Sequence, residues 1–169
     1  MQQKERSHRR VLSLCAPVKL VEMEIRLAQK GDLPQIVGLC KQHAEYEQAE
    51  YSTKDKEKLL SKAIFGTSPS LKCLVVAEGN TIVGYATFMQ QFSTWDVGFY
   101  LYLDCLFLTE ETRGKGLGTA LMEKIKEYSK IENCTEIQWQ TPDFNEKAIR
   151  FYQKNGGISK KKERFFMKV

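Results

Sequence analysis

Long apolar runs are missing from this chain. No stretch approaches the ~18 uncharged apolar residues of a spanning helix, which excludes a helical membrane-embedded protein. Paired cysteines are missing too. Cys15, Cys40, Cys73, Cys105 and Cys134 lie at least 25 residues apart with no C-x-x-C pair, a spacing that suits neither a zinc site nor a compact disulfide framework. They read as reduced thiols that act as small hydrophobes in a cytoplasmic protein. Histidine is scarce, and His8 and His43 are too isolated to argue for a metal or a nucleophilic pair, so both read as surface or helix-face residues. No metal is expected. Excess charge is small. Lys and Arg number 26 against 21 Asp and Glu, and residues 1–22 carry five of those cations against Glu5 and Glu22. Residues 23–169 keep 21 cations against 19 carboxylates, so charge demands no nucleic-acid partner.

What is present is an ordinary globular composition. Hydrophobic residues make up 42% and charged residues 28% of 169 residues, enough for one core and too few for two. Residues 1–22 form a basic, then mildly apolar extension that superficially resembles a signal peptide. Pro17 and Lys19 interrupt its apolar part, and no small-x-small cleavage pattern follows. It reads as a disordered segment, or as one preceding a natural start at Met23. Residues 23–169 read as a single domain. Glu24 to Ala28 suggests a strand. Asp32 and Pro34 then open a helix carrying Ile36, Val37, Cys40 and Ala44 at helical spacing. Ser52 and Asp55 resemble a capping box for a second helix that Gly66 stops. Residues 71–78 and 81–92 are β-rich around Gly79-Asn80, a strong hairpin signal. Phe99 to Thr109 is nearly all apolar, as in a central strand covered on both faces. A helix over 116–129, a strand over 136–141, a helix over 145–154 and a last strand over 163–169 complete the order. The pattern predicts an α/β (α+β) fold whose mixed, mostly antiparallel sheet has about six or seven strands, flanked on both faces by about four helices.

The most informative stretch runs from Asp104 to Leu121. A buried strand enters a loop with glycines at 114, 116 and 118, and a helix begins at once. Glycines let successive N–H groups converge, and a helix start adds roughly +0.5 of a charge, an arrangement suited to phosphate. Arg113 and Lys115 add full charges. A merely tight strand–helix turn explains the glycines and leaves these cations unaccounted for. Walker and dinucleotide loops both fail, because Lys115 is followed by Gly116 and the spacing is G-x-G-x-G late in the chain.

What remains is R-x-x-G-x-G, which resembles the acetyl-coenzyme A loop of the GNAT superfamily of N-acetyltransferases. The element order agrees over residues 23–169. Tyr46-Glu47, Trp95, Leu101 to Asp104 and the N-x-x-A-x-x-F-Y run from Asn145 to Tyr152 are similar to the spermidine/spermine (diamine and thialysine) N-acetyltransferase branch. The loop alone is moderately specific; the loop with that run at this spacing is highly specific. The resemblance implies direct acetyl transfer from acetyl-CoA to a primary amine. It implies a central strand that is bulged and splayed from the strand at Ile137. Leu106, Phe107 and Leu108 then border the pantetheine arm, with Leu106 and Leu108 pairing to it through backbone groups and an N–H near Leu106 stabilising the oxyanion. Amides of Gly114, Lys115, Gly116, Leu117, Gly118 and Thr119 would hold the pyrophosphate. Arg113 is its charge partner, Lys115 reaches toward the nucleotide, and Asn145 bonds the pantetheine. Tyr152 matches the general acid for the departing thiolate, although a core aromatic would also fit there. Asp104 stands where relatives carry Glu, as a base acting through water; a structural carboxylate beside a cation fits equally.

Tyr46, Glu47 and Trp95 match a substrate-facing wall, with Glu47, Asp104 and Glu50 attracting a cationic amine and Trp95 offering an aromatic face. A solvated helix end and a core indole are the plain alternatives. Polyamine, thialysine or lysine-like acceptors lead, while aminoglycosides and protein amines stay open, as does a non-catalytic acyl-CoA-binding domain. The resemblance also implies a homodimer that trades C-terminal strands or pairs edges.

Overall fold

The computed structural model describes residues 22–169, so the readings of residues 1–21 fall outside it. One mixed five-stranded sheet forms the centre. Its strands are β1 (Met23–Leu27), β2 (Lys72–Glu78), β3 (Thr81–Ser93), β4 (Gly98–Leu108) and β5 (Ile137–Gln138), side by side in that order. The first three neighbour pairs are antiparallel, and β5 lies parallel to β4. Four helices flank the sheet: α1 (Leu33–Tyr46), α2 (Lys56–Phe65), α3 (Leu117–Ile131) and α4 (Glu146–Lys154).

Period-two alternation sorts the strand residues between the two faces. Cys73, Val75 and Ala77 of β2, with Tyr85 of β3, face Ile36 and Leu39 of α1 and Leu60 and Ile64 of α2. Leu74, Val76, Ala86 and Phe88 face the other way, onto Leu121, Met122 and Ile125 of α3 and onto Phe151 and Tyr152 of α4. Each such fully buried aliphatic side chain contributes roughly 1.5–3 kcal/mol. Gly84 lets β3 approach β4 closely: a Cβ there would stand 2.4 Å from Leu108 Cδ2 and 2.9 Å from the Phe107 carbonyl oxygen.

Several expected boundaries move. Six or seven strands become five. The strand expected over 136–141 shrinks to two residues, and that over 163–169 does not form. A strand needs a ladder partner, and a two-residue β5 offers almost none. Phe165, Phe166 and Met167 are left exposed. The Ser52–Asp55 box is absent as well. Asp55 takes a left-handed conformation without a side-chain cap, the Ser52 hydroxyl accepts from the Lys54 N–H, and α2 starts at Lys56.

Asp32 precedes α1 but does not cap it by its side chain. Its carboxylate accepts instead from the Arg26 guanidinium at 2.6 Å and from the Gln29 N–H at 2.8 Å, tying β1 to the turn before α1. The Arg26 hydrogen bond, joined by Gln29 and opposed by burial, holds the Asp32 carboxyl below the ordinary carboxylate range. Asp32→Ala is expected to cost about 2 kcal/mol in denaturant unfolding, since it strands a half-buried guanidinium. A lowered folded value makes this contribution complete above the unfolded value, near pH 4, and lost as acid carries the solution through the folded one. The gap between wild type and variant should therefore close in acid.

Candidate active site

The site begins with an irregularity in β4. Cys105 registers with Thr87 and Leu103 with Phe88, so Asp104 is an extra residue in the ladder. The bulge inverts the alternation. Before it, Leu101 and Leu103 face α3; beyond it, Leu106 and Leu108 do, while Cys105 and Phe107 turn toward α1. Backbone groups invert in the same way. The Leu101 N–H reaches the Glu136 carbonyl on the β5 side, whereas the Thr109 N–H bonds Val83 on the β3 side. By alternation, Leu106 and Leu108 present their backbone groups to the β5 edge. The β4–β5 ladder ends at Tyr102 and Gln138, so among the described residues this edge has no strand partner beyond the bulge.

A single turn, Glu110–Thr112, links β4 to the glycine loop. Gly114 (φ 78°) and Gly116 (φ 81°) lie in the left-handed region, where other residues are strained. The Arg113 N–H is taken by Glu110, and intrahelical bonding resumes at the Ala120 N–H, which donates to Gly116. Among the described residues no backbone acceptor takes the N–H groups from Gly114 to Gly116. Those of Leu117 to Thr119 are first-turn donors of α3 without a side-chain cap. The result is a continuous run of donors at a helix start, with exposed Lys115 beside it. Gly118 sits under α4, where a Cβ would come 3.0 Å from the Phe151 ring.

Arg113 packs against α1 and β4. Its guanidinium lies over the Tyr46 ring at 4.7 Å and the Phe107 ring at 5.5 Å, and its Nε donates to the Leu108 carbonyl at 3.0 Å. That bond occupies one of the edge-facing carbonyls and leaves the Leu106 groups and the Leu108 N–H available. Asn145 joins α1 to α4. Its Oδ1 accepts from the Tyr46 hydroxyl at 3.3 Å and from the Ala148 N–H at 3.2 Å, which keeps its Nδ2 hydrogens for another acceptor.

Tyr152 projects from α4 with its ring against Trp139 and Phe151, each with centroids 5.1 Å away. Among the described residues its hydroxyl makes no protein hydrogen bond. Burial first, then the charges of Glu47 and Cys105, push the phenol up to about 12. Glu47 therefore belongs to the same neighbourhood. Asp104 is exposed on the bulge and accepts from the Thr87 hydroxyl at 3.5 Å and from the Cys105 thiol at 3.6 Å.

Trp95 is not brought to this group. It stands 95% exposed in the β3–β4 turn, so it is no core indole. Some 20 Å of extended strand separates it from Asp104, at ~3.3 Å per residue. His43, read as a surface or helix-face residue, is instead enclosed: only 14% of its side chain is exposed, between Glu47, Tyr85 and Phe107. A signal for it existed. Ile36, Cys40, His43 and Glu47 follow helical spacing, so the imidazole lies on the sheet-facing stripe of α1. His8 lies outside the described residues. So does Cys15; the other cysteines are free thiols.

The fold and this loop define an acyl-transfer protein, and comparison with known proteins gives its family. The model of the acetyltransferase (GNAT) family matches residues 36–157. The chain belongs to that family and is a GNAT-family acetyltransferase. It is 31% identical over 140 residues to the thialysine N-epsilon-acetyltransferase of Sus scrofa, covering 78% of this chain and 82% of that protein. It is 25% identical over 142 residues to the spermidine/spermine N(1)-acetyltransferase-like protein 1 of Homo sapiens, 80% of this chain but 20% of that longer protein. These likenesses put it in the diamine-acetyltransferase-like branch. Its fold superimposes on an aminoglycoside N-acetyltransferase in complex with CoA with a TM-score of 0.73 at 17% identity, covering 87% of this chain and 95% of that one. No helix among the described residues is long and apolar enough to cross a membrane.

Proposed function

We propose that this chain transfers acetyl from acetyl-CoA directly to a primary amine of a small cationic acceptor of the polyamine, thialysine or lysine-like class. One observation carries the reading: the unpaired β4 edge runs from the Asp104 bulge straight into the unsatisfied N–H groups of Gly114 to Thr119. Such an edge suits the two amides of a pantetheine arm, and the donor run suits a pyrophosphate. Asn145 Nδ2 and Lys115 add donors from either side.

Chemically, the acceptor ammonium must first lose a proton, and Asp104 on its exposed bulge takes it through water. The amine nitrogen then bonds the thioester carbonyl carbon while the Leu106 N–H stabilises the oxyanion. Collapse breaks the C–S bond as Tyr152 gives its proton to the sulfur, and the excess proton on the acceptor nitrogen passes to the Tyr152 phenolate, leaving a neutral amide, free CoA and a restored phenol. Glu47 and Asp104 offer two negative charges to a second cationic group of the acceptor. A homodimer paired through residues 164–169 belongs to this reading, supported by the exposed Phe165, Phe166 and Met167.

Acetyl-CoA-dependent thiol release over a panel of amines tests it. A diamine or thialysine should exceed a monoamine of equal length in kcat/KM by roughly ten-fold, the factor that 1.4 kcal/mol of added attraction supplies. CoA binding without release of thiol for any amine would instead mark a non-catalytic acyl-CoA-binding domain.

A further inference from the structure

His43, to which the transfer chemistry assigns no role, is held on three sides. Its ring stacks on Phe107, with centroids 5.1 Å apart and planes 27° apart. Its Nδ1 lies 3.1 Å from the Tyr85 hydroxyl, and its Nε2 lies 3.4 Å from Glu47 Oε1, one helical turn on. These partners fix the tautomer. A carboxylate only accepts, so Nε2 carries the hydrogen toward Glu47. Tyr85 is buried, and that burial, with Cys105 and Cys40 nearby, pushes its phenol well above the ordinary value. Tyr85 therefore stays protonated and donates to Nδ1. Tyr85 thus holds the ring by a hydrogen bond, and Glu47 meets its other nitrogen as an ion-pair neighbour.

We propose that His43 is a positioning residue that orients the Glu47 carboxylate toward the acceptor's cationic group without neutralising it. This rests on the acetyltransfer reading above and adds a specificity device to it. An unanchored Glu47 at the frayed end of α1 would sample several rotamers, and fixing one lowers the entropy lost when the acceptor binds. Neutrality of the ring is the second requirement. Desolvation, aided by Arg113 and opposed by Glu47 and Asp104, holds the imidazole below its ordinary value of 6.5. Besides Glu47 on its own helix, the ring meets Tyr85 from β3 and feels the charges of Asp104 from β4 and Arg113 from the glycine loop. An imidazolium formed in acid would pair with Glu47 and compete with the acceptor.

Two measurements on the full chain test this. With two histidines in the sequence, nitrogen-15 spectra of the rings are readily assigned by comparison with His8→Gln. The expected result is the Nε2–H tautomer, with a pKa that falls further in Glu47→Gln. An Nδ1–H tautomer, or a pKa indifferent to Glu47→Gln, overturns the proposal even if no acceptor is ever found. In steady-state kinetics with the best diamine of the panel, His43→Leu should raise the acceptor KM about ten-fold, leaving kcat and the acetyl-CoA KM nearly unchanged. His43→Gln keeps a donor near Nε2 and should restore most of that loss. It should also abolish the rise in acceptor KM expected of wild type as acid carries the solution through the lowered imidazole value. Equal effects on both KM values, or no rescue by glutamine, would mean that His43 merely fills space. Wild-type turnover with an unaffected His43→Leu would sink the positioning role alone, whereas absent turnover with every amine would sink the transfer reading.

Discussion

Tyr152→Phe is expected to lower kcat by ~10²-fold or more while leaving the unfolding midpoint and both KM values within a few-fold. The ring would keep its contacts with Trp139 and Phe151, so only the hydroxyl is tested. A phenol at about 12 stays protonated through the whole working range, so no alkaline limb from this group should appear below about pH 10. The departing thiolate is a weaker base, near 8.5 for an ordinary thiol, so transfer from Tyr152 is uphill unless it is coupled to loss of the excess proton on the acceptor nitrogen. A solvent isotope effect on kcat that vanishes in Tyr152→Phe would show that coupling. Near-normal turnover in the variant would remove the acid role.

The second large effect belongs to Gly116. Proline there would force φ from 81° to about −65° and delete one N–H from the donor run. The backbone must either strain, at a cost of about 1–3 kcal/mol, or re-aim the neighbouring amides away from a common point. Because Gly116 lies outside the core and nothing stands within 4 Å of its Cβ direction, the fold should survive. Calorimetry with CoA should show binding weakened by roughly 100-fold, or about 2.7 kcal/mol. Wild-type affinity in Gly116→Pro would mean that the loop does not hold the diphosphate.

Those parts of the fold whose cause is local were legible in the sequence. The Gly79-Asn80 turn forms as a hairpin with Gly79 at φ 60°, and two of the three loop glycines, Gly114 and Gly116, take left-handed conformations. β4, α3 and α4 fall within about two residues of expectation because apolar periodicity and glycine punctuation set their limits. What escaped depends on distant partners. The bulge was expected from the resemblance alone, since a nearly apolar run hides it apart from Asp104 as its lone charge. The final strand was read from β-propensity, yet propensity supplies no neighbour to pair with. Arg113 was assigned by charge to the diphosphate, and only the three-dimensional arrangement brings Tyr46, Phe107 and the Leu108 carbonyl around it. His43 escaped because Tyr85 and Phe107 approach it from remote parts of the chain. The charge beside it in the same helix, Glu47, was found by resemblance and not by spacing.

The bond from Arg113 to the Leu108 carbonyl bears on solubility. A bare strand margin is a template for runaway self-association, and many proteins blunt theirs with charge or distortion. Here the bulge kinks the strand and the guanidinium stoppers its far end. The stretch of bare margin is thereby shortened, which limits edge-to-edge pairing between copies of the chain.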